Sequence, residues 1–142
     1  MLAFVLAAAM ANPCLPDSGM AAICGPVASE DLARIPGTRW LIASGLNVGA
    51  PANLYLVDTR GKQSRVLFPS RRPRLQMQAS FRGLCPGPLQ PARMSIDGLS
   101  IRAGAKGSPA MLLAANHGDR HAIEIFRIDL QPEPALTWTG CV

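Results

Sequence analysis

The chain has 142 residues, enough for one modest domain, and a formal net charge of +5. Gly and Pro number 13 each, above their usual combined share of roughly 12% and below the ~25–30% of low-complexity chains; that suits many short strands joined by tight turns and excludes a disordered polymer. The densest basic cluster, Arg71-Arg72-Pro73-Arg74, has only Phe68 and Phe81 as aromatic company, whereas nucleic-acid binding wants a basic face with stacking platforms, so a solvated loop is expected there and no nucleic-acid partner.

Residues 1–11 are uniformly apolar. They are too few for a bilayer span of about 20 residues. They match the hydrophobic region of a signal peptide, and Ala9-Met10-Ala11 fits a small-x-small cleavage site, although no Lys or Arg precedes them. An exported chain is expected: periplasmic, secreted, or held at a membrane by the leader. Leader and lead-in together occupy 1–25. Asn12 to Val27 is rich in Pro, Gly and Ala and reads as extended chain.

Strand signals follow. Leu32 to Ile35 and Arg39 to Ser44 flank Pro36-Gly37-Thr38, the pattern of a hairpin. Leu54 to Asp58 and Arg65 to Phe68 flank Thr59-Arg60-Gly61-Lys62, another hairpin turn. A Pro-rich loop over 69–96 comes next, with Pro69, Pro73, Pro86, Pro88 and Pro91 and a short strand or helical turn at Leu75 to Phe81. A loop this long is functional or mobile as a rule. Four more strand signals run from Gly98 to Arg102, Ala110 to Asn116, Ala122 to Leu130 and Ala135 to Gly140.

A four-strand pattern therefore occurs twice, over about 30–68 and about 97–140. In Leu54 to Val57, Leu54 and Leu56 face one way and Tyr55 and Val57 the other, so both faces are apolar; Ala110 to Ala115 is likewise apolar on both faces. A sheet with one solvated face alternates apolar and polar residues. Sheets buried on both sides suggest the blades of a β-propeller, whose ring takes about four to eight blades. The expected fold is all-β, a partial β-propeller over 26–142. Two unrelated meanders in one all-β domain are the alternative. Corresponding positions lie further apart than the roughly 40–50 residues of simple propeller repeats, the excess falling in the Pro-rich loop.

The four cysteines, Cys14, Cys24, Cys85 and Cys141, allow three full pairings, and the sequence does not choose among them. They form no CxxC or Cys/His cluster, so zinc is not expected. Export permits disulfides. Ile23 stands before Cys24 where lipid attachment wants a small residue.

Candidate chemistry lies at strand ends. Adjacent residues of extended chain point to opposite sides, so Glu30 and Asp31 would serve two sites. Carboxylates and carbonyls are the ligands that Ca²⁺ prefers; a solvated acidic turn is the simpler alternative. In Asn116-His117-Gly118-Asp119, His117 is a candidate general base, against the simpler reading of a surface histidine. His121, in a short turn, offers less. No Gly-x-Ser-x-Gly elbow, phosphate loop or HExxH motif is present.

Two stretches resemble a known family. Ser29-Glu30-Asp31-Leu32, Ile35-Pro36 and Leu41-Ile42-Ala43-Ser44-Gly45-Leu46 look like the opening blade of the paraoxonase/arylesterase group, six-bladed propellers of the gluconolactonase type. Asp97-Gly98-Leu99-Ser100, Leu112-Leu113-Ala114-Ala115-Asn116-His117-Gly118 and Ala122-Ile123-Glu124-Ile125-Phe126 look like its next such stretch. The resemblance covers about 22–142, the first third of a family member, or about two blades of six. It implies a calcium-dependent lactonase or arylesterase with two Ca²⁺ ions in a central tunnel. Glu30 matches a ligand of the catalytic ion. Asp31 matches a carboxylate ligand of the structural ion, and Leu99 a position that gives that ion a backbone carbonyl. His117 matches one of two histidines proposed to activate water; the other position is Asp97 here. Cys24 matches a cysteine that in animal members bonds to one near the C-terminus; Cys141 is a substitute partner.

The expected function is that of a fragment of a calcium-dependent ester or lactone hydrolase. The family's further ligands would lie on later blades, so the isolated chain is expected to be inactive. The complete protein would take a small ester or lactone as substrate. The alternative is a non-catalytic secreted β-module that binds a partner or associates with itself through open blade faces. Membrane association would depend on the leader alone.

Overall fold

The computed structural model describes residues 19–105 and 108–142; the leader with its cleavage site and Cys14 lies outside the described residues. The first sheet is a meander of β1 (Leu32–Arg34), β2 (Trp40–Ala43), β3 (Leu54–Asp58) and β4 (Gln63–Phe68), each antiparallel to the next. After β5 (Arg74–Leu75) come β6 (Ile96–Arg102), β7 (Ala110–His117), β8 (His121–Asp129) and β9 (Ala135–Cys141), a second antiparallel meander. The order in this sheet is β5-β9-β8-β7-β6, with β5 parallel to β9 at the outer edge. The described residues are thus all-β, in two sheets, neither closed into a barrel.

Local chemistry explains the turns. Between β1 and β2, Pro36 and Gly37 occupy the central positions, Gly37 has φ +71°, and Thr38 N–H donates to the Ile35 carbonyl at 3.2 Å. Proline followed by a glycine at positive φ is what a type II turn requires. Between β3 and β4 the Asp58 carboxylate accepts the N–H groups of Arg60 and Gly61, both at 3.0 Å.

The alternation expected in β3 is present. Leu54 and Leu56 enter the core between the sheets, with Ile42, Phe68, Leu112, Phe126 and Trp138. Tyr55 and Val57 face the other way, with Ala43, against Ile23 of the lead-in. Phe68 and Phe126 meet edge to face across the sheets, centroids 5.0 Å apart. The stacking matches like with like: β1 contacts β6, and β4 contacts β9. The first sheet is covered on both faces, by the second sheet and by the lead-in, where Ser64 Oγ donates to the Cys24 carbonyl. On the second sheet the outward row of β7 is Met111, Leu113 and Ala115, with Ile123 opposite Ala115. Met111 and Ile123 are 38% and 36% exposed.

Three sequence expectations are corrected. The second sheet has five strands, because the connection contributes β5; the prolines around Arg74 and Leu75 leave room for a two-residue pairing. The loop is anchored: Cys85, Leu89 and Met94 are buried in the main core; the helical turn expected before Phe81 is present as a short 3₁₀ turn at Ala79–Phe81, and another forms at Pro91–Arg93. Finally, Cys141 bonds to Cys85, with Cα atoms 5.0 Å apart, and not to Cys24. The anchored loop brings Cys85 to the end of β9. Cys24, which is also disulfide-bonded, belongs to the lead-in on the far face of the first sheet.

Candidate functional site

The sequence-predicted residues gather along β6 in two groups. The first joins the sheets. Asp31 is half-buried just before β1, and its Oδ2 accepts the Leu99 N–H at 2.6 Å while Oδ1 accepts that of Leu32 at 2.7 Å. Ser44 Oγ accepts the Asp31 N–H at 2.9 Å. Asp31 and Leu99 are thus in contact, and the group that Leu99 turns to Asp31 is its amide. The Glu30 side chain is exposed. Asp31, Leu99 and Ser100 border a shallow depression of about 340 Å³ shared with Leu113, Ala115 and Ile123.

Ca²⁺ takes 6–8 oxygen ligands. These positions supply one carboxylate already engaged by two amides, one exposed carboxylate and an amide donor. Among the described residues no group of three or more His, Cys, Asp or Glu converges on a point that could hold a metal ion. The residues present therefore do not by themselves make a calcium centre, and no chemical step is derived through one.

The second group is at the β7–β8 hairpin. The pairing of β6 with β7 is irregular between Ile96 and Leu99, so Asp97 and Gly98 sit in a bulge, a device that re-aims side chains. Asp97 Oδ2 lies 3.6 Å from His117 Nε2, an ion-pair distance beyond direct hydrogen-bond length. His117 Nδ1 lies 3.1 Å from His121 Nδ1. His121, read from sequence as a turn residue, is the first residue of β8 and the cross-strand partner of His117. His117 thus has a carboxylate near one ring nitrogen and a second imidazole at the other.

The hairpin is held from below. His117 N–H donates to the Ser95 carbonyl at 2.8 Å, and Asp119 N–H to the Arg93 carbonyl at 3.1 Å. Asn116 Oδ1 accepts the N–H groups of Ser95 and Gly118, both at 3.0 Å. Any Cβ at Gly118 would drive into the Arg93 carbonyl oxygen, so only glycine permits this approach.

Sequence reasoning missed the network underneath. Glu124 is fully buried. Arg120 grips it with two contacts of 2.8 Å, Trp138 Nε1 donates to Oε2 at 2.8 Å, and Asn116 Nδ2 donates to Oε1 at 3.0 Å. The carboxylate raises the Arg120 pKa above its ordinary value, more than burial lowers it. The available signal was a single carboxylate at a core-facing position of an apolar strand: buried carboxylates require partners. A larger cavity, about 700 Å³, lies elsewhere, bordered by Ile35, Pro36, Arg74, Arg127 and Asp129. There Asp129 is paired with Arg74 and Arg127.

Comparison with protein-family models, with curated proteins and with solved structures finds no match.

Proposed function

We propose that the two sheets are consecutive blades of a propeller of the ester- and lactone-hydrolysing type, and that this chain does not by itself hydrolyse either substrate. The observation that carries the reading is the stacking of like strands, β1 on β6 and β4 on β9. Asp31 and Asp97 then lie at the first strands of the two sheets, the side on which a propeller's central channel runs, with His117 at the end of the neighbouring β7. His117 and Asp97 supply a base and its carboxylate. The electrophile that would polarise a carbonyl is missing from these residues, and further blades would supply it. Disulfide bonding at Cys24, Cys85 and Cys141 supports export to an oxidising compartment.

Two measurements test this. Side-chain contacts by nuclear Overhauser effect between β1 and β6 and between β4 and β9 are expected; crossed sheets would remove the basis for blades. With a phenyl ester or a γ-lactone the purified chain is expected to show no turnover above buffer, with or without Ca²⁺. Calcium-dependent turnover abolished by Glu30→Gln would overturn the claim of inactivity. A second reading, a non-catalytic secreted module that associates through a sheet face, is favoured by the exposed apolar row Met111, Leu113 and Ile123.

A further inference from the structure

We propose that His117 and His121 form a two-imidazole site for a divalent transition ion of the zinc and copper class, with Asp97 as its outer-sphere carboxylate. The two residues are direct cross-strand partners on either side of the three-residue connection Gly118-Asp119-Arg120. Their side chains therefore rise from the same face of the hairpin, and their Nδ1 atoms are 3.1 Å apart. Zinc–imidazole bonds of about 2.0–2.1 Å place two ligand nitrogens about 3.3 Å apart at a tetrahedral angle and about 2.9 Å apart at a right angle. The observed spacing falls between these values, so one ion can bridge the two nitrogens once the rings turn their lone pairs off the Nδ1–Nδ1 line toward it. Water would complete the coordination shell.

Tautomers decide whether those lone pairs are available. Metal-ligating histidines usually turn their other ring nitrogen to a carboxylate or carbonyl, which fixes the tautomer. Asp97 stands at Nε2 of His117 and favours the proton there, leaving Nδ1 as the lone-pair atom. In the metal-free chain one proton is shared between the two Nδ1 atoms, the donor and acceptor roles being set by the tautomers. On binding, that proton leaves Nδ1, each ring carries its remaining proton on Nε2, and the ion bonds both Nδ1 atoms from off the line between them. The nearest cation in the connection, Arg120, is turned into the core and neutralised by Glu124, so it does not repel the ion.

Preorganisation distinguishes this pair from two neighbouring surface histidines. The Asn116 side chain and the Arg93 and Ser95 backbone fix the hairpin tip, and Gly118 packs directly against the Arg93 carbonyl. Chelation therefore costs little further ordering of the backbone.

The test is titration of the full chain with Zn²⁺ alone, followed by calorimetry and by imidazole ¹⁵N shifts. Saturable binding is expected, with the Nδ1 resonances of both His117 and His121 shifting together. His121→Gln and His117→Gln should each weaken binding at least tenfold. Asp97→Asn should weaken it about tenfold through the outer-sphere effect. These side chains are half-exposed, and matching thermal melts would show that each variant folds. No binding at millimolar Zn²⁺ would overturn the site, as would binding that is unchanged in His121→Gln. Failure of the propeller reading would leave this result intact, since the hairpin alone supplies both ligands.

Discussion

Glu124 shows how much a single side chain organises here. It is the one carboxylate fully buried among the described residues, and it joins β7, β8 and β9 by bonding Asn116, Arg120 and Trp138. Arg120 also donates to the Gly87 carbonyl at 2.9 Å, tying in the long connection. Removing one partner of a buried ion pair strands the other charge. Glu124→Ala is therefore expected to cost about 3–5 kcal/mol in urea unfolding, and a loss below about 1 kcal/mol would mean that the network relaxes or hydrates. Asp58 works differently, on the surface. The Gly61 amide, then the Arg60 amide and the Arg39 guanidinium, hold its pKa below the ordinary 3.8, against the opposing effect of desolvation. A depressed folded-state pKa stabilises above the unfolded value, and this contribution is lost as pH falls through the folded one. Asp58→Asn should thus flatten the decline in melting temperature below about pH 4; an unchanged slope would count against the assigned contacts.

Among the elements, the connection between the sheets has the most unexpected organisation. Its prolines and basic run suggest a solvated loop, and the run Arg71 to Arg74 is indeed exposed. Further along, Gln76 and Gln78 donate to the carbonyls of Trp138 and Thr139, both at 2.8 Å, continuing the edge alongside β9. Cys85 then ties the segment to Cys141 across 56 positions. Constraining a loop of that size in the unfolded chain stabilises by about 2–4 kcal/mol. Replacing both cysteines with serine should lower stability by that amount in denaturant and speed tryptic cleavage at Arg82. Equal cleavage rates in both proteins would show that the apolar anchors Leu89 and Met94 alone hold the segment.

For the assembled pair of sheets, the two outer faces differ. The lead-in covers the first sheet, so Tyr55 and Val57 are buried. The second sheet shows Met111 and Ile123 beside Leu113. Contiguous apolar surface beyond a few hundred Å² normally marks association. The chain is expected to sediment as an oligomer, and Leu113→Glu should shift it toward monomer. A monodisperse wild-type monomer with a sharp thermal transition would mean that the two sheets are self-sufficient and that the blade reading is wrong.

Period and punctuation alone placed eight of the strands. The apolar runs of β3 and β7, the Pro-Gly turn and the Pro-rich gap are local signals, and local signals suffice when strands join in a simple meander. The doubly apolar β3 also announced a sheet covered on both sides. Residues needing distant partners were less legible. Asp31 and Leu99, named together only through a resemblance, meet because the sheets stack with their first strands in contact. The pairing of Cys141 with Cys85, the attachment of β5 to β9, the burial of Glu124 and the facing of His117 with His121 were decided by the tertiary structure. Each depends on which surfaces meet in space, and a strand's own alternation fixes which side a residue takes but not what stands opposite it.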